Sequence, residues 1–194
     1  MVVLDANFSS ETIDCILQVC HSLQIPVFFE PTDPRKARKA AKSAFASAIH
    51  FASPNIHELR TMASQVLPSE KELPTEASED DLEALLKECT SLGTVLMQKM
   101  PFATLVITLG KHGAFLMEAK SGATCHLPSQ VGGQDDIVSA SGAGDCLAAA
   151  FISGLLQGQS PQNALRLGLK AAKLSLAAIE TVPQTLSKLK SNES

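Results

Sequence analysis

The chain has 194 residues, 45% of them apolar and 19% charged, with a formal net charge of −4. That length suits one domain, and the balance argues against a disordered chain and against a general nucleic-acid binder, which would be basic. Aromatic residues are 4%, all of them Phe, so platforms for stacking single-stranded nucleic acid are scarce.

From the N-terminus, Val2 to Leu4 is a short apolar run that predicts a buried strand, followed by a loop at Asp5-Ala6-Asn7. It carries no basic leader, so no signal peptide is read there. Ser9 to Thr12 can cap a helix in which Ile13, Ile16, Leu17 and Cys20 keep helical spacing. Pro26 to Phe29 predicts a second strand, closed by Glu30-Pro31. Asp33 and Pro34 then open a basic helix through Arg35, Lys36, Arg38, Lys39 and Lys42. Ile49 to Ala52 predicts a third strand, and a helix runs from Glu58 to about Ser64.

Residues 69–88 hold eight acids and two bases between and beyond Pro68 and Pro74. This predicts a solvated acidic loop over 67–80 that leads into a helix; a docking surface for a basic partner is the weaker alternative. An amphipathic helix follows over 80–99, with Leu82, Leu85, Leu86, Cys89, Leu92, Val95 and Leu96 at spacings of three and four. Thr104 to Thr108 is a strand, Leu109 to Gly113 a turn, and Ala114 to Met117 a strand pairing back as a hairpin. A variable loop is expected over 119–136, then a helix through Cys146 to Leu156 and two more over 161–168 and 169–179. Apolar strands alternating with helices imply a parallel sheet covered on both faces.

The five cysteines are scattered and form no C-x-x-C pair, and the histidines give no zinc spacing. Reduced thiols are expected, which suits a cytoplasmic protein. No window is apolar over about 18 residues, so no membrane span is read.

Three places carry chemistry. Ser141-Gly142-Ala143-Gly144-Asp145 runs directly into an Ala-rich helix. Glycines at 142 and 144 would bare the first-turn N–H groups, and the helix dipole adds about half a positive charge, which makes an anion site. Asp145 either complements that helix start or takes a proton from a hydroxyl attacking a phosphoryl group. Asn55 and Glu58, three apart, either form a capping box or support a hydrated Mg²⁺. Thr108, Gly110 and Gly113 form either a plain type I′ or II′ hairpin turn or a backbone-exposing turn beside nucleotide phosphate. All three fall at the C-terminal ends of predicted strands, the edge where open α/β sheets bind ligands.

The order N-x-x-E (Asn55, Glu58), T-x-G-x-x-G (Thr108, Gly110, Gly113) and G-A-G-D (Gly142 to Asp145) resembles the PfkB-type, ribokinase-like carbohydrate and nucleoside kinases, over essentially the whole chain. Asp5-Ala6-Asn7, Phe29-Glu30-Pro31, Leu174 to Leu176 and Thr181 to Pro183 look most like the pseudouridine kinases of that family. The resemblance implies an α/β, Rossmann-like three-layer sandwich, with a mostly parallel sheet and a C-terminal β-hairpin. It also implies a single PfkB-type domain over 1–194 that lacks the family's N-terminal strands and lid.

The resemblance implies that Asp145 is the catalytic base and that the amides of Gly142, Ala143 and Gly144 form the anion hole. Thr108, Gly110, Gly113, Ala171 and Ala172 would bind ATP, the last two as the wall of the adenine pocket. Asn55 and Glu58 would organise Mg²⁺ through water. Ser139-Ala140-Ser141 stands where many relatives have Asp-Thr-Thr, beside which a monovalent cation is often held. The implied activity transfers the γ-phosphate of ATP to the 5′-hydroxyl of a ribosyl compound, pseudouridine first. The alternative is an inactive short form that binds nucleotide or a partner subunit. The expected partners are a sugar or nucleoside, with room for a homo-oligomer, and neither nucleic acid nor membrane.

Overall fold

The computed structural model describes residues 1–67, 75–100, 103–132 and 137–189. Residues 68–74, half of the expected 67–80 acidic loop, therefore lie outside the described residues, as does the end of the 119–136 loop. The strands are β1 (Val2–Asp5), β2 (Val27–Glu30), β3 (Ile49–Ala52), β4 (Thr104–Thr108), β5 (Ala114–Glu118) and β6 (Thr124–Leu127). They lie in one sheet, in chain order. The helices are α1 (Ser10–Ser22), α2 (Pro34–Ala41), α3 (Ile56–Val66), α4 (Leu82–Lys99), α5 (Ala143–Leu156) and α6 (Pro161–Leu176). None of the described helices is long and apolar enough to cross a membrane.

The chain divides into two compact units. The first is Met1–Leu109 with Met117–Thr124; the second is Gly110–Leu116 with Cys125–Ser194. In the first unit β1 pairs with β2, β2 with β3 and β3 with β4, all parallel. Val27, Phe28 and Phe29 are fully buried, as strands covered on both faces require. Ala119 N–H donates to Ala103 O at 3.1 Å, so the end of β5 returns to the start of β4 and the expected hairpin forms.

Local chemistry sets the helix starts. Ser9 caps α1 on Thr12 N–H, Asp33 caps α2 on Lys36 N–H with Pro34 behind it, and Asp81 caps α4 on Ala84 N–H. Arg60 on α3 and Glu88 on α4 form a bidentate ion pair at 2.7 and 2.9 Å, with side chains 12% and 3% exposed. Glu88 also accepts Ala77 N–H at 3.0 Å and Arg60 donates to Ala77 O at 3.2 Å, which ties the approach to α4 onto α3.

In the second unit α5 lies along α6, with Phe151, Ala164, Leu165 and Ala171 fully buried. Three expectations need correction here. The stretch expected as helices over 161–168 and 169–179 is one helix, α6. Gly168, which reads as a break, sits inside it because a Cβ there would come within 2.9 Å of Leu147 O on α5. The expected loop over 119–136 contains β6. Residues 137–141 form no strand ahead of the G-A-G-D segment; Val138 and Ser139 donate instead to Leu176 O.

Candidate active site

The first unit gathers Asn55, Glu58 and Thr108. Asn55 follows β3 and Thr108 ends β4; the two form a parallel bridge, and Thr108 N–H donates to Pro54 O at 3.0 Å. Asn55 Oδ1 accepts Glu58 N–H at 2.9 Å, and Glu58 Oε2 accepts Asn55 N–H at 2.8 Å. Both halves of the capping box are therefore present. Glu58 is 3% exposed, and burial pushes its carboxyl above the usual range, against the pull of the Asn55 N–H.

These two residues fit Mg²⁺ only at second hand. Their oxygens already serve the helix start, so a hydrated ion reached through water suits them and a direct ligand pair does not. No group of three or more His, Cys, Asp or Glu able to hold a metal converges among the described residues.

The second unit holds the remaining candidates. Gly110 and Gly113 bracket a single 3₁₀ turn, Gly110–His112, with Gly113 N–H donating to Gly110 O at 3.1 Å. Both have positive φ, +53° and +91°. A Cβ on Gly113 would run into Leu127 O and come within 2.6 Å of Pro128 C, whereas one on Gly110 would meet nothing. Gly113 is thus needed for packing, and Gly110 for its conformation on an open face.

Gly142 is the N-cap of α5 in the left-handed region at φ +82°. A Cβ there would strike Thr181 Cγ2 and come within 2.7 Å of Thr181 O; a Cβ on Gly144 would meet nothing within 4 Å. Five of the six described α-helices carry a side chain on a first-turn amide: Ser9, Asp33, Asn55, Asp81 and Ser160 do this work. α5 carries none. Its first turn bond is Cys146 N–H to Gly142 O at 2.9 Å; the N–H groups of Gly142, Ala143, Gly144 and Asp145 have no acceptor among the described residues. These are the orphan donors of a helix start, at the positive end of its dipole.

Asp145 is exposed in that first turn and has no hydrogen-bond or ion-pair partner among the described residues. It opens a cleft of about 340 Å³ whose walls include Ala149 and Ser153 on α5, Ala171 on α6 and Val182 beyond it. Ala171 is fully buried and forms part of that wall; Ala172, half-buried one residue on, does not line it. Along the cleft Gln157 Nε2 donates to Ser153 Oγ at 3.2 Å, a polar pair that nothing in the sequence singles out.

Comparisons with known proteins give the family and the fold. The model of the pfkB family of carbohydrate kinases matches residues 2–187. Pseudouridine kinase from Arabidopsis thaliana is 22% identical over 222 residues, covering 94% of this chain and 58% of that protein. Ribokinase from Cryptococcus neoformans var. grubii serotype A, solved with ADP, superposes with a TM-score of 0.74 at 25% identity, covering 96% of this chain and 59% of that one. Adenosine kinase from Schistosoma mansoni, solved with 2-fluoroadenosine, superposes with a TM-score of 0.71 at 15% identity over 96% of this chain and 53% of that one; this likeness speaks to fold alone. The chain spans a little over half the length of these three relatives.

Proposed function

We propose, from the fact that this chain belongs to the pfkB family of carbohydrate kinases, that it carries the phosphate-binding turn and the base of an ATP-dependent phosphotransferase. The reaction moves the γ-phosphate of ATP to the 5′-hydroxyl of a ribosyl compound. One observation carries this reading: among the six described α-helices only α5 opens with no side chain on a first-turn amide, and a carboxylate with no partner among the described residues stands in the same turn at the lip of a cleft.

The mechanism follows from those groups. The N–H groups of Gly142, Ala143 and Gly144 receive the charge on the transferring phosphoryl group. Asp145 accepts the proton of the acceptor hydroxyl as its oxygen bonds to the γ-phosphorus. The bond from that phosphorus to the bridging oxygen breaks, and its electron pair leaves on the β-phosphate of ADP. Thr108, Gly110 and Gly113 are assigned to the nucleotide's phosphates and ribose, and Ala171 and Ala172 to the base. Mg²⁺, when bound, neutralises phosphate charge, with Asn55 and Glu58 reaching it through water.

Pseudouridine is the first choice of acceptor. Two of the relatives above are named for pseudouridine and ribose, and a ribosyl group is common to both. The test is phosphorylation of pseudouridine, ribose, uridine and adenosine by the longest available form of the protein, with and without Asp145→Asn. Loss of turnover with ATP binding retained supports the reading; equal turnover in both forms overturns it. A second reading is a form that binds nucleotide or a partner subunit without turnover. In that case neither form phosphorylates any of the four compounds, while both bind ATP.

A further inference from the structure

The C-terminal end of α6 spends its polar groups on the turn that opens α5. Leu176 O accepts two N–H groups from the approach to that turn, Val138 at 2.7 Å and Ser139 at 3.2 Å. Ser139 Oγ then accepts Ser141 N–H at 3.3 Å. Ser175 is fully buried and donates its hydroxyl to Thr181 O at 3.1 Å. Cys146 Sγ, in the first turn of α5, donates to the same oxygen at 3.4 Å. Thr181 is also the residue whose methyl and carbonyl occupy the space that a Cβ on Gly142 would need.

We infer that Ser175 is a positioning residue for the anion-binding turn, acting through Thr181; the inference rests on the phosphoryl-transfer reading above. A helical Ser or Thr hydroxyl has an easy acceptor in the carbonyl four residues back, and Ser22, Thr61, Thr90 and Thr94 all use it. Ser175 does not. Its proton goes to a loop carbonyl that also takes the Cys146 thiol, so both lone pairs of Thr181 O are engaged. With Thr181 fixed, the residue above it has room only as a left-handed glycine, and the amides that follow fan outward in one arrangement. Transfer chemistry depends on that fixity, since a misplacement of about 1 Å can cost about a hundredfold in rate.

The test titrates inorganic phosphate, AMP-PNP·Mg²⁺ and adenosine into the full protein and its variants, followed by calorimetry and ³¹P NMR. Ser175→Ala is expected to weaken phosphate and AMP-PNP about tenfold while leaving adenosine unchanged, and Ser175→Cys, which keeps a donor of similar size, to restore most of the loss. Phosphate affinity unchanged in Ser175→Ala overturns the inference, and so does a parallel loss of adenosine, the mark of general loosening. If Ser175→Ala does not fold in plain buffer, the same titration is run with trimethylamine N-oxide, which favours the folded state; an unchanged phosphate affinity there overturns the inference equally. A wild-type protein that binds neither phosphate nor AMP-PNP overturns the parent reading instead.

Discussion

Glu58 and Asp145 occupy the same rung of two helices, the third residue of α3 and of α5, and only Glu58 is tied back to its helix start. The difference lies in the cap. Asn55 offers its N–H to Glu58, whereas Gly142 has no side chain and its N–H has no acceptor among the described residues. One acid closes a capping box and the other has no partner among the described residues. Asp145→Asn is expected to lower turnover by about 10²–10⁴-fold, the usual contribution of a positioned base, with stability within about 0.5 kcal/mol of wild type. Steady-state phosphorylation assays and urea denaturation check the two halves separately.

Glu58 has the opposite profile. Burial raises its carboxyl in the folded state, so the native chain holds that proton more tightly than the unfolded chain does. Its contribution to stability therefore falls as pH rises from the ordinary carboxylate value through the folded one, and is level above that. Glu58→Gln keeps an acceptor for Asn55 N–H and is expected to remove this slope at little cost near neutral pH. Asn55→Ala loses the cap and is expected to cost about 1 kcal/mol. Denaturation midpoints across pH 4–8 distinguish the two variants.

Gly142 and Gly144 are two residues apart and respond to alanine with opposite signs. Alanine at 142 must hold φ near +82° against Thr181, at an expected cost of about 2 kcal/mol or more. Thr181→Ser removes the nearest atom and is expected to recover part of that loss. Alanine at 144 enters open space inside a helix and is expected to stabilise by about 0.5–1 kcal/mol, while its methyl crowds the amide fan and weakens phosphate binding. A thermal-shift series with and without phosphate reads both signs.

The pair Arg60–Glu88 predicts an acid-sensitive joint between α3 and α4. Burial pushes the Glu88 carboxyl up, but the Arg60 guanidinium and Ala77 N–H outweigh it and hold the group below the usual range. Its stabilisation is present above the ordinary carboxylate value and is lost as pH falls through the lowered one. Glu88→Ala leaves the half-buried Arg60 guanidinium to Glu76 and Ala77 O and is expected to cost about 2 kcal/mol and abolish that acid transition.

Thiol chemistry separates the cysteines. Burial, with the Glu88 charge adding to it, pushes the Cys89 thiol up to about 12, and Cys15 is exposed. Iodoacetamide at pH 8 is expected to modify Cys15 in the native protein and Cys89 only after unfolding, read by peptide mass spectrometry.

Local chemistry was the legible part. Ser9, Asp33 with Pro34, and the apolar runs of β1 to β4 mark their elements because caps and periodicity act over a few residues. The G-A-G-D turn is visible for the same reason. What the chain hides is long range. Gly168 looks like a helix stop until α5 lies 2.9 Å from where its Cβ would be. β6 is four residues of Thr-Cys-His-Leu, too short and polar to stand out. Arg60 and Glu88 are 28 positions apart, and the hydroxyl of Ser175 gains meaning only once Thr181 folds back onto it.

Because α6 runs unbroken from Pro161 to Leu176, Ala171 in the cleft wall and Leu176 at the foot of the anion turn ride on one rigid rod. The wall and the approach to the turn therefore share one support, and a substitution that kinked α6 between Ala171 and Leu176 would displace both together.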